Sequence, residues 1–313
     1  MQIVRSLSAL PPSLSRTVLA IGNFDGVHRG HQAILHQVRQ HAAEIAAKSV
    51  AVTFDPHPVR ILRPEQAPKL ITPLAQKLDL LAATGIDATV VIPFTPEFSK
   101  LSALQFARDI LLNSLHAAEV HEGDNFRFGH NASAGPAELA QLGRELGFAV
   151  VAQPALYVRG IQVSSSHVRR SIAAGDMATA RALLGRPFSI RSTPVRERGI
   201  GTRLTVPTIN LAPYDELLPA DGVYVTRLKI RDETFDAVTN AGHRPTFGEI
   251  AYAIESHILD FQESALTPNT PLELCFLSRI RGERKFESPN ALKQQISKDA
   301  AHARRYFQLL EQF

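Results

Sequence analysis

The strongest constraint in this sequence is a change of hydrophobic rhythm at Gly185-Arg186-Pro187, which divides the chain into two unlike parts. Before it, short β-branched runs alternate with longer segments of helical period, the pattern of βαβ units built around a parallel sheet. After it, short runs separated by Pro, Gly, Asp and Asn follow one another, the pattern of antiparallel β structure. The expected organisation is an α/β domain over residues 1–185, then a small antiparallel β-barrel with a C-terminal helix over residues 186–313. A chain of 313 residues is long enough for each to bury its own core.

The first part predicts strands at 17–21, 49–54, 88–92, 119–121 and 149–153. Ile34, Leu35, Val38, Ala42 and Ile45 recur at three- and four-residue spacing, which predicts a helix over 28–48 with one apolar face. Thr72-Pro73 has the chemistry to cap and begin a helix that Gly85 ends, and Ser102 with Gln105 reads as a capping box. A short helix is expected over 176–184. In the second part, strands are expected at 203–209, 222–230, 235–241, 251–261 and 272–279. Ser288-Pro289 then caps a helical tail, with a break expected near Asp299.

Composition narrows the class of function. With 44% hydrophobic and 20% charged residues, the chain is neither disordered nor fibrous. A net charge of +4 spread over its length, with no run of five like charges, implies no nucleic-acid partner. The lone Cys275 cannot close an internal disulfide and lies in an apolar run, so a reducing compartment is expected. No eighteen-residue apolar run and no leader pattern occur, so the expected location is the cytoplasm, with no membrane partner.

The segment Ile21-Gly22-Asn23-Phe24-Asp25-Gly26-Val27-His28-Arg29-Gly30-His31 carries the richest chemistry. It falls between the first predicted strand and helix, where α/β sheets bind ligands. Free backbone N–H groups at a helix start attract anions, and two imidazoles there can hydrogen-bond a pentacoordinate phosphate and steady a departing pyrophosphate. Gly22, Gly26 and Gly30 let the backbone turn and approach a ligand. Taken alone, His28 and His31 also read as surface residues of an amphipathic helix, while a zinc site would lack a sequence-local third ligand. Ser164, Ser165 and Ser166 precede a predicted helix, where hydroxyls, amides and the Arg169 guanidinium can present donors to phosphate, although Ser166 can equally be an N-cap with Arg169 exposed. Asp55-Pro56-His57-Pro58 begins a stiff loop that is either a wall for a flat ring or a connection. Phe54, Phe126 and Phe128 either stack on such a ring or pack the core.

The wording G-x-F-D-G-x-H-x-G-H resembles the HxGH nucleotidyltransferases, and specifically the adenylyltransferase module of the prokaryotic bifunctional riboflavin kinase/FAD synthetases. Val52-Thr53-Phe54-Asp55-Pro56-His57-Pro58, Gly123-Asp124-Asn125-Phe126-Arg127-Phe128-Gly129 and Val163-Ser164-Ser165-Ser166-His167-Val168-Arg169 match that family in order. The resemblance implies a Rossmann-like domain in which His28 and His31 bind the ATP phosphates and Gly22, Asn23, Phe24, Gly26 and Gly30 line the nucleotide. It further implies that Ser164, Ser165 and Arg169 clamp the triphosphate, while Asn125, with Asp55 and His57, serves the flavin. After Gly129 the family's basic, glycine-rich continuation is replaced by His130-Asn131-Ala132-Ser133-Ala134-Gly135.

In the second part, Thr208 and Asn210 would share one side of an extended chain and offer oxygen ligands to a hard cation, or simply serve a turn. Glu255 and His257 share a face of a half-buried strand, where the carboxylate is either a proton acceptor for an attacking hydroxyl or half of a surface ion pair. Pro207-Thr208-Ile209-Asn210, the run 218–224, the run 240–247, Glu255-x-His257 and the run 281–288 are similar to the riboflavin kinase module. That resemblance implies Mg²⁺ and phosphate on Thr208 and Asn210, with Glu255 as base for the ribityl 5′-hydroxyl of riboflavin. One departure stands out: Thr205 replaces a glycine and the motif arginine is absent or displaced, with Arg198-Gly199-Ile200-Gly201 as a substitute phosphate loop. The expected chemistry is riboflavin to FMN and FMN to FAD, with ATP as donor. The rivals are an adenylyltransferase with a degenerate kinase barrel, and a non-catalytic flavin or nucleotide sensor.

Overall fold

A computed structural model describes residues 1–195, 208–246, 249–259 and 266–312, and divides the chain into two compact units, Met1–Ser165 and Ser166–Phe313. The first unit is a six-stranded, wholly parallel sheet of β1 (Gln2–Val4), β2 (Thr17–Ile21), β3 (Lys48–Asp55), β4 (Ala88–Pro93), β5 (Ala117–Gly123) and β6 (Ala149–Gln153). Its order, β1-β4-β3-β2-β5-β6, places β2 between β3 and β5, so successive crossovers leave β2 on opposite sides and open a crevice at its C-terminal end.

Alternation along the buried β2 feeds two cores. Val18 and Ala20 pack with Leu35, Val38 and Ala42 of α1 (Arg29–Glu44), while Leu19 and Ile21 join a cluster with Phe106, Leu111 and Leu139 on the other face. The remaining helices of this unit are α2 (Pro58–Leu62), α3 (Leu74–Ala82), α4 (Ala103–Gln105), which runs into π-helical turns over Phe106–Ser114, and α5 (Pro136–Leu146). A small hairpin of β7 (Tyr157–Val158) and β8 (Ile161–Gln162) follows β6.

Two expectations are corrected here. The first helix stops at Glu44 rather than residue 48, because Ala46 turns left-handed at φ 52° and the Ala47 N–H closes back on the Ala42 carbonyl, releasing the chain into β3. Thr72 does not cap α3; Pro73 is the N-cap, without a side-chain bond, and the Thr72 hydroxyl is engaged elsewhere. The Ser102 and Gln105 capping box forms as expected.

The second unit carries α6 (Ser165–Ala173) from its second residue, α7 (Met177–Leu184) and an antiparallel seven-stranded sheet that curls as a half-barrel. Its strands are β9 (Phe188–Ser192), β10 (Pro194–Val195), β11 (Thr208–Leu211), β12 (Gly222–Ile230), β13 (Glu233–Thr246), β14 (Glu249–Ile258) and β15 (Leu272–Arg281), in the order β10-β11-β14-β13-β12-β15-β9. One face buries Tyr224, Leu228 and a hydroxyl ladder in which Thr226 meets Thr239 at 2.7 Å and Thr239 meets Ser256 at 2.8 Å. On the other face, Val223, Val225, Val238 and Leu277 pack beneath Ala300, Ala303 and Phe307 of α8 (Pro289–Leu310). The helix runs through Asp299 without the expected break: that carboxylate is buried, bound by the Arg281 guanidinium at 2.8 Å and by the Gln295 amide at 2.7 Å.

Candidate active sites

The segment after β2 is held in an unusual backbone path by one buried carboxylate. Phe24 and Val27 adopt positive φ values of 46° and 38°, a conformation that ordinary side chains avoid, and Gly26 sits at φ 83°. Asp25 fixes this path by accepting the Ile71 amide at 3.0 Å and the Thr72 amide at 3.0 Å, while the Thr72 hydroxyl accepts the Gly26 amide at 3.0 Å. The loop therefore reaches α1 already shaped, and its strain is carried by tertiary hydrogen bonds.

His28 is the N-cap of α1 and accepts the His31 amide on Nδ1 at 3.3 Å, which leaves Nε2 to carry the proton. The two imidazoles stack at 3.6 Å between centroids, with planes 13° apart, and Phe24 closes on His31 edge-on at 5.1 Å. Burial, then the neighbouring His28 and Lys77, hold the His31 pKa well below its ordinary value, so the ring is neutral at pH 7. Its buried Nδ1 has no hydrogen-bond partner among the described residues. A Cβ on Gly30 would press within 3.2 Å of the His28 ring, whereas at Gly22 it would make only an ordinary 3.6 Å contact with Phe24.

The other motifs of the first unit converge on this loop. The Thr53 hydroxyl donates to the Asn23 carbonyl at 3.3 Å, and the Ser165 hydroxyl donates to the Asp25 carbonyl at 2.9 Å. Glu122, one residue before Gly123, accepts the Ile21 amide at 2.8 Å. Asn125 lies exposed on the turn after β5, and Asp55 is exposed at the end of β3. His57 is turned inward, where its Nδ1 accepts the Val59 amide and caps α2. Ser165 and Ser166 lie within the first turn of α6 rather than ahead of it, and Arg169 follows Ser165 by one turn on that helix. Phe128 is buried in the core cluster, and the partly buried Phe54 and Phe126 pack against it. No third His, Cys, Asp or Glu joins His28 and His31 into a metal-binding group among the described residues.

Two residues of this site escaped the motif reading. Asp25 stood inside the motif as an unassigned letter, and its role emerges only from contacts 46 residues away. Lys77 is buried on α3, where burial lowers its pKa while Asp25 and Asp55 raise it. The available signal was a lysine in the apolar stripe with Leu78 and Leu81.

The second site is a matter of strand register. Thr208 pairs with His257, and Asn210 pairs with Glu255, which pairs in turn with Asn240. Directly paired residues share a face with Cα atoms about 5 Å apart, so β11 and β14 bring the two predicted pairs into one polar patch, with Asn240 as an added member. Thr208 is exposed, and Asn210, Asn240, Glu255 and His257 are half-buried. The Thr205 replacement and the Arg198 to Gly201 loop lie outside the described residues.

Comparison with known proteins divides the chain as this geometry does. A family model described as FAD synthetase matches residues 10–167, and one described as riboflavin kinase matches residues 184–307. The bifunctional riboflavin kinase/FMN adenylyltransferase of Pseudomonas fluorescens is 36% identical over 97% of both chains, and that of Escherichia coli K12 is 32% identical over 99% of both. The chain belongs to the bifunctional riboflavin kinase/FMN adenylyltransferase family. A solved structure from Streptococcus pneumoniae, named as a macrolide-efflux protein, superposes with a TM-score of 0.87 at 26% identity, covering 96% of this chain and 98% of its own. That name stands apart from the family and from the described residues here, which include no helix long and apolar enough to cross a membrane.

Riboflavin kinase chemistry implies a divalent cation beside the ATP phosphates, and the donor set on β11 fits one. The Asn210 Oδ1 is buried without a hydrogen-bond partner among the described residues, and a hydroxyl stands two residues away on the same face. A neutral carboxamide oxygen left unsatisfied is costly unless a ligand completes it, and an oxygen donor suits a hard cation.

Proposed function

We propose that the two activities of this bifunctional riboflavin kinase and FMN adenylyltransferase divide along the chain, with residues 1–185 making FAD and residues 186–313 making FMN. The observation that carries the first assignment is the stacked His28 and His31 pair at the start of α1, its His31 ring neutral, on a loop braced by Asp25. An FMN phosphate oxygen attacks the α-phosphorus of ATP, the bond to the bridging oxygen breaks, and pyrophosphate leaves. His28 offers Nε2–H to the phosphates. The incoming triphosphate raises the pKa of His31, so its imidazole takes on positive charge where the pyrophosphate charge grows. Gly22, Asn23, Phe24, Gly26 and Gly30 form the nucleotide-facing backbone, Ser164, Ser165 and Arg169 clamp the triphosphate, and Asn125, Asp55 and His57 serve the flavin side.

For the kinase, Glu255 accepts the proton of the ribityl 5′-hydroxyl while its oxygen attacks the γ-phosphorus and ADP departs. Thr208 and Asn210 hold Mg²⁺, which when bound offsets the charge of the transferring phosphoryl group. The unpartnered Asn210 oxygen supports that assignment. Both reactions belong to the cytoplasm, where ATP is available and the lone Cys275 stays reduced.

Separation of flavins after incubation with ATP and Mg²⁺ tests the division. The native chain is expected to convert riboflavin to FMN and FAD. Replacing His28 and His31 together by Ala is expected to stop the conversion at FMN, and continued FAD formation by that variant would overturn the first assignment.

A further inference from the structure

The geometry points to a transition-metal site, of the kind zinc occupies, formed by His41, Glu119 and His121 on the α1 side of the parallel sheet. Glu119 and His121 alternate along β5 and so share a face, and α1 returns His41 to that face in its last turn. Glu119 Oε1 lies 2.7 Å from His41 Nδ1 and in close contact with His121 Nε2, and the three donor atoms all fall within 4.8 Å of one another. The rings meet edge to face at 4.9 Å. About ten residues of helix separate this cluster from His31, or roughly 15 Å along α1, so it is distinct from the nucleotide site.

Four features suit a metal rather than a chance contact. Two imidazoles and one carboxylate form the ligand set of an open tetrahedral zinc site with a remaining position for water. The His121 side chain is fully buried beside Glu119, so its nitrogens are fixed in place and shielded from water. The other ring nitrogen of His121 is held by the Gln153 side-chain amide at 3.2 Å, an outer hydrogen bond that orients a metal-binding imidazole; turning that amide over lets its oxygen accept Nδ1–H while Nε2 binds the ion. His41 is about one-third exposed and opens the cluster to solvent, and it sits at the helix end whose dipole favours a cation. Donors around tetrahedral zinc stand about 3.3 Å apart at bond lengths of about 2.0–2.1 Å, so an ion widens the 2.7 Å contact of Glu119 with His41 by about 0.6 Å and is closed on by imidazole nitrogens within 4.8 Å of each other.

The test uses the full chain, freed of metal with a chelator and titrated without nucleotide, first with Co²⁺ as a coloured probe and then with Zn²⁺. One equivalent of Co²⁺ is expected to give the visible absorption of a four-coordinate nitrogen and oxygen site, displaced by one equivalent of Zn²⁺. His41→Ala and Glu119→Gln are each expected to weaken binding at least tenfold and to abolish a zinc-dependent rise in Tm. FAD formation from FMN stays unchanged in His41→Ala. Both substitutions are at partly exposed positions, and circular dichroism confirms that each variant is folded. Absence of stoichiometric Co²⁺ uptake by the folded native chain overturns the inference. So does uptake that survives both substitutions, or that is lost only when His28 and His31 are replaced.

Discussion

The two candidate sites are assembled by opposite constructions. In the first unit the candidate residues sit on a loop whose backbone is bent against its preferences, at Phe24 and Val27, and is held by the buried Asp25 carboxylate. In the second unit they sit on straight strands, and their alignment follows from pairing Asn210, Glu255 and Asn240 across β11, β14 and β13. A loop site is tuned by distant hydrogen bonds and can be damaged far from the chemistry. A register site needs no such brace, and its parts fail one at a time.

The sharpest way to test that contrast is to remove the chemistry from each site separately. Glu255→Gln is expected to lower FMN formation by about 10²–10⁴-fold, the usual contribution of a general base, with FMN to FAD unchanged. His31→Ala is expected to lower FAD formation by about 10²–10³-fold, as for loss of one donor to developing charge, with riboflavin phosphorylation unchanged. Flavin chromatography with each substrate reads both, and loss of both activities in either variant would break the comparison.

The brace itself comes next. Asp25→Ala strips the acceptor from the Ile71 and Thr72 amides and is expected to cost about 3 kcal/mol of stability in the first unit, by the value of hydrogen bonds to a charged group. Denaturant unfolding measures it, and FAD formation is expected to fall before FMN formation does. In the second site, Asn240→Ala is expected to leave folding intact, as the same denaturant unfolding shows.

Acidity probes the first unit more gently. His31 and His121 have depressed pKa values in the folded protein, so below their ordinary value of 6.5 the unfolded chain binds protons that the folded chain refuses. Stability from these rings is present above pH 6.5 and is lost on acidification. Glu122 has the opposite sign: burial raises its pKa, the folded state keeps a proton that the unfolded chain releases above 4.5, and stability falls as pH rises. Glu122→Gln is therefore expected to raise Tm at pH 8 by about 2–4 °C, the scale of ~1 kcal/mol in a domain of this size, and to flatten that slope. Thermal melts across pH 5–8 decide it.

The sequence shows more of the strands than of what ties them together. Alternation and capping chemistry expose β2, β12 and the Ser102 box because those signals are local. The HxGH spacing picks out the first candidate site for the same reason. Thr72 misleads because its hydroxyl looks like a cap yet serves Gly26, 46 residues away. Asp299 suggests a helix break because a buried carboxylate is unexpected in an apolar stripe, and its partner Arg281 lies on a strand. Lys77 and Asp25 were likewise hidden, since a buried charge shows its purpose only through neighbours distant in sequence.

The ladder of Thr226, Thr239 and Ser256 has one further meaning. Side chains alternate strictly along a strand, so sliding β14 by one position against β13 would swing Ser256 out of the interior and drive Glu255 into it. Three small hydroxyls thereby act as a proofreading key. Only the alignment that satisfies them keeps Glu255 off that interior face, and misaligned chains would bury an uncompensated charge.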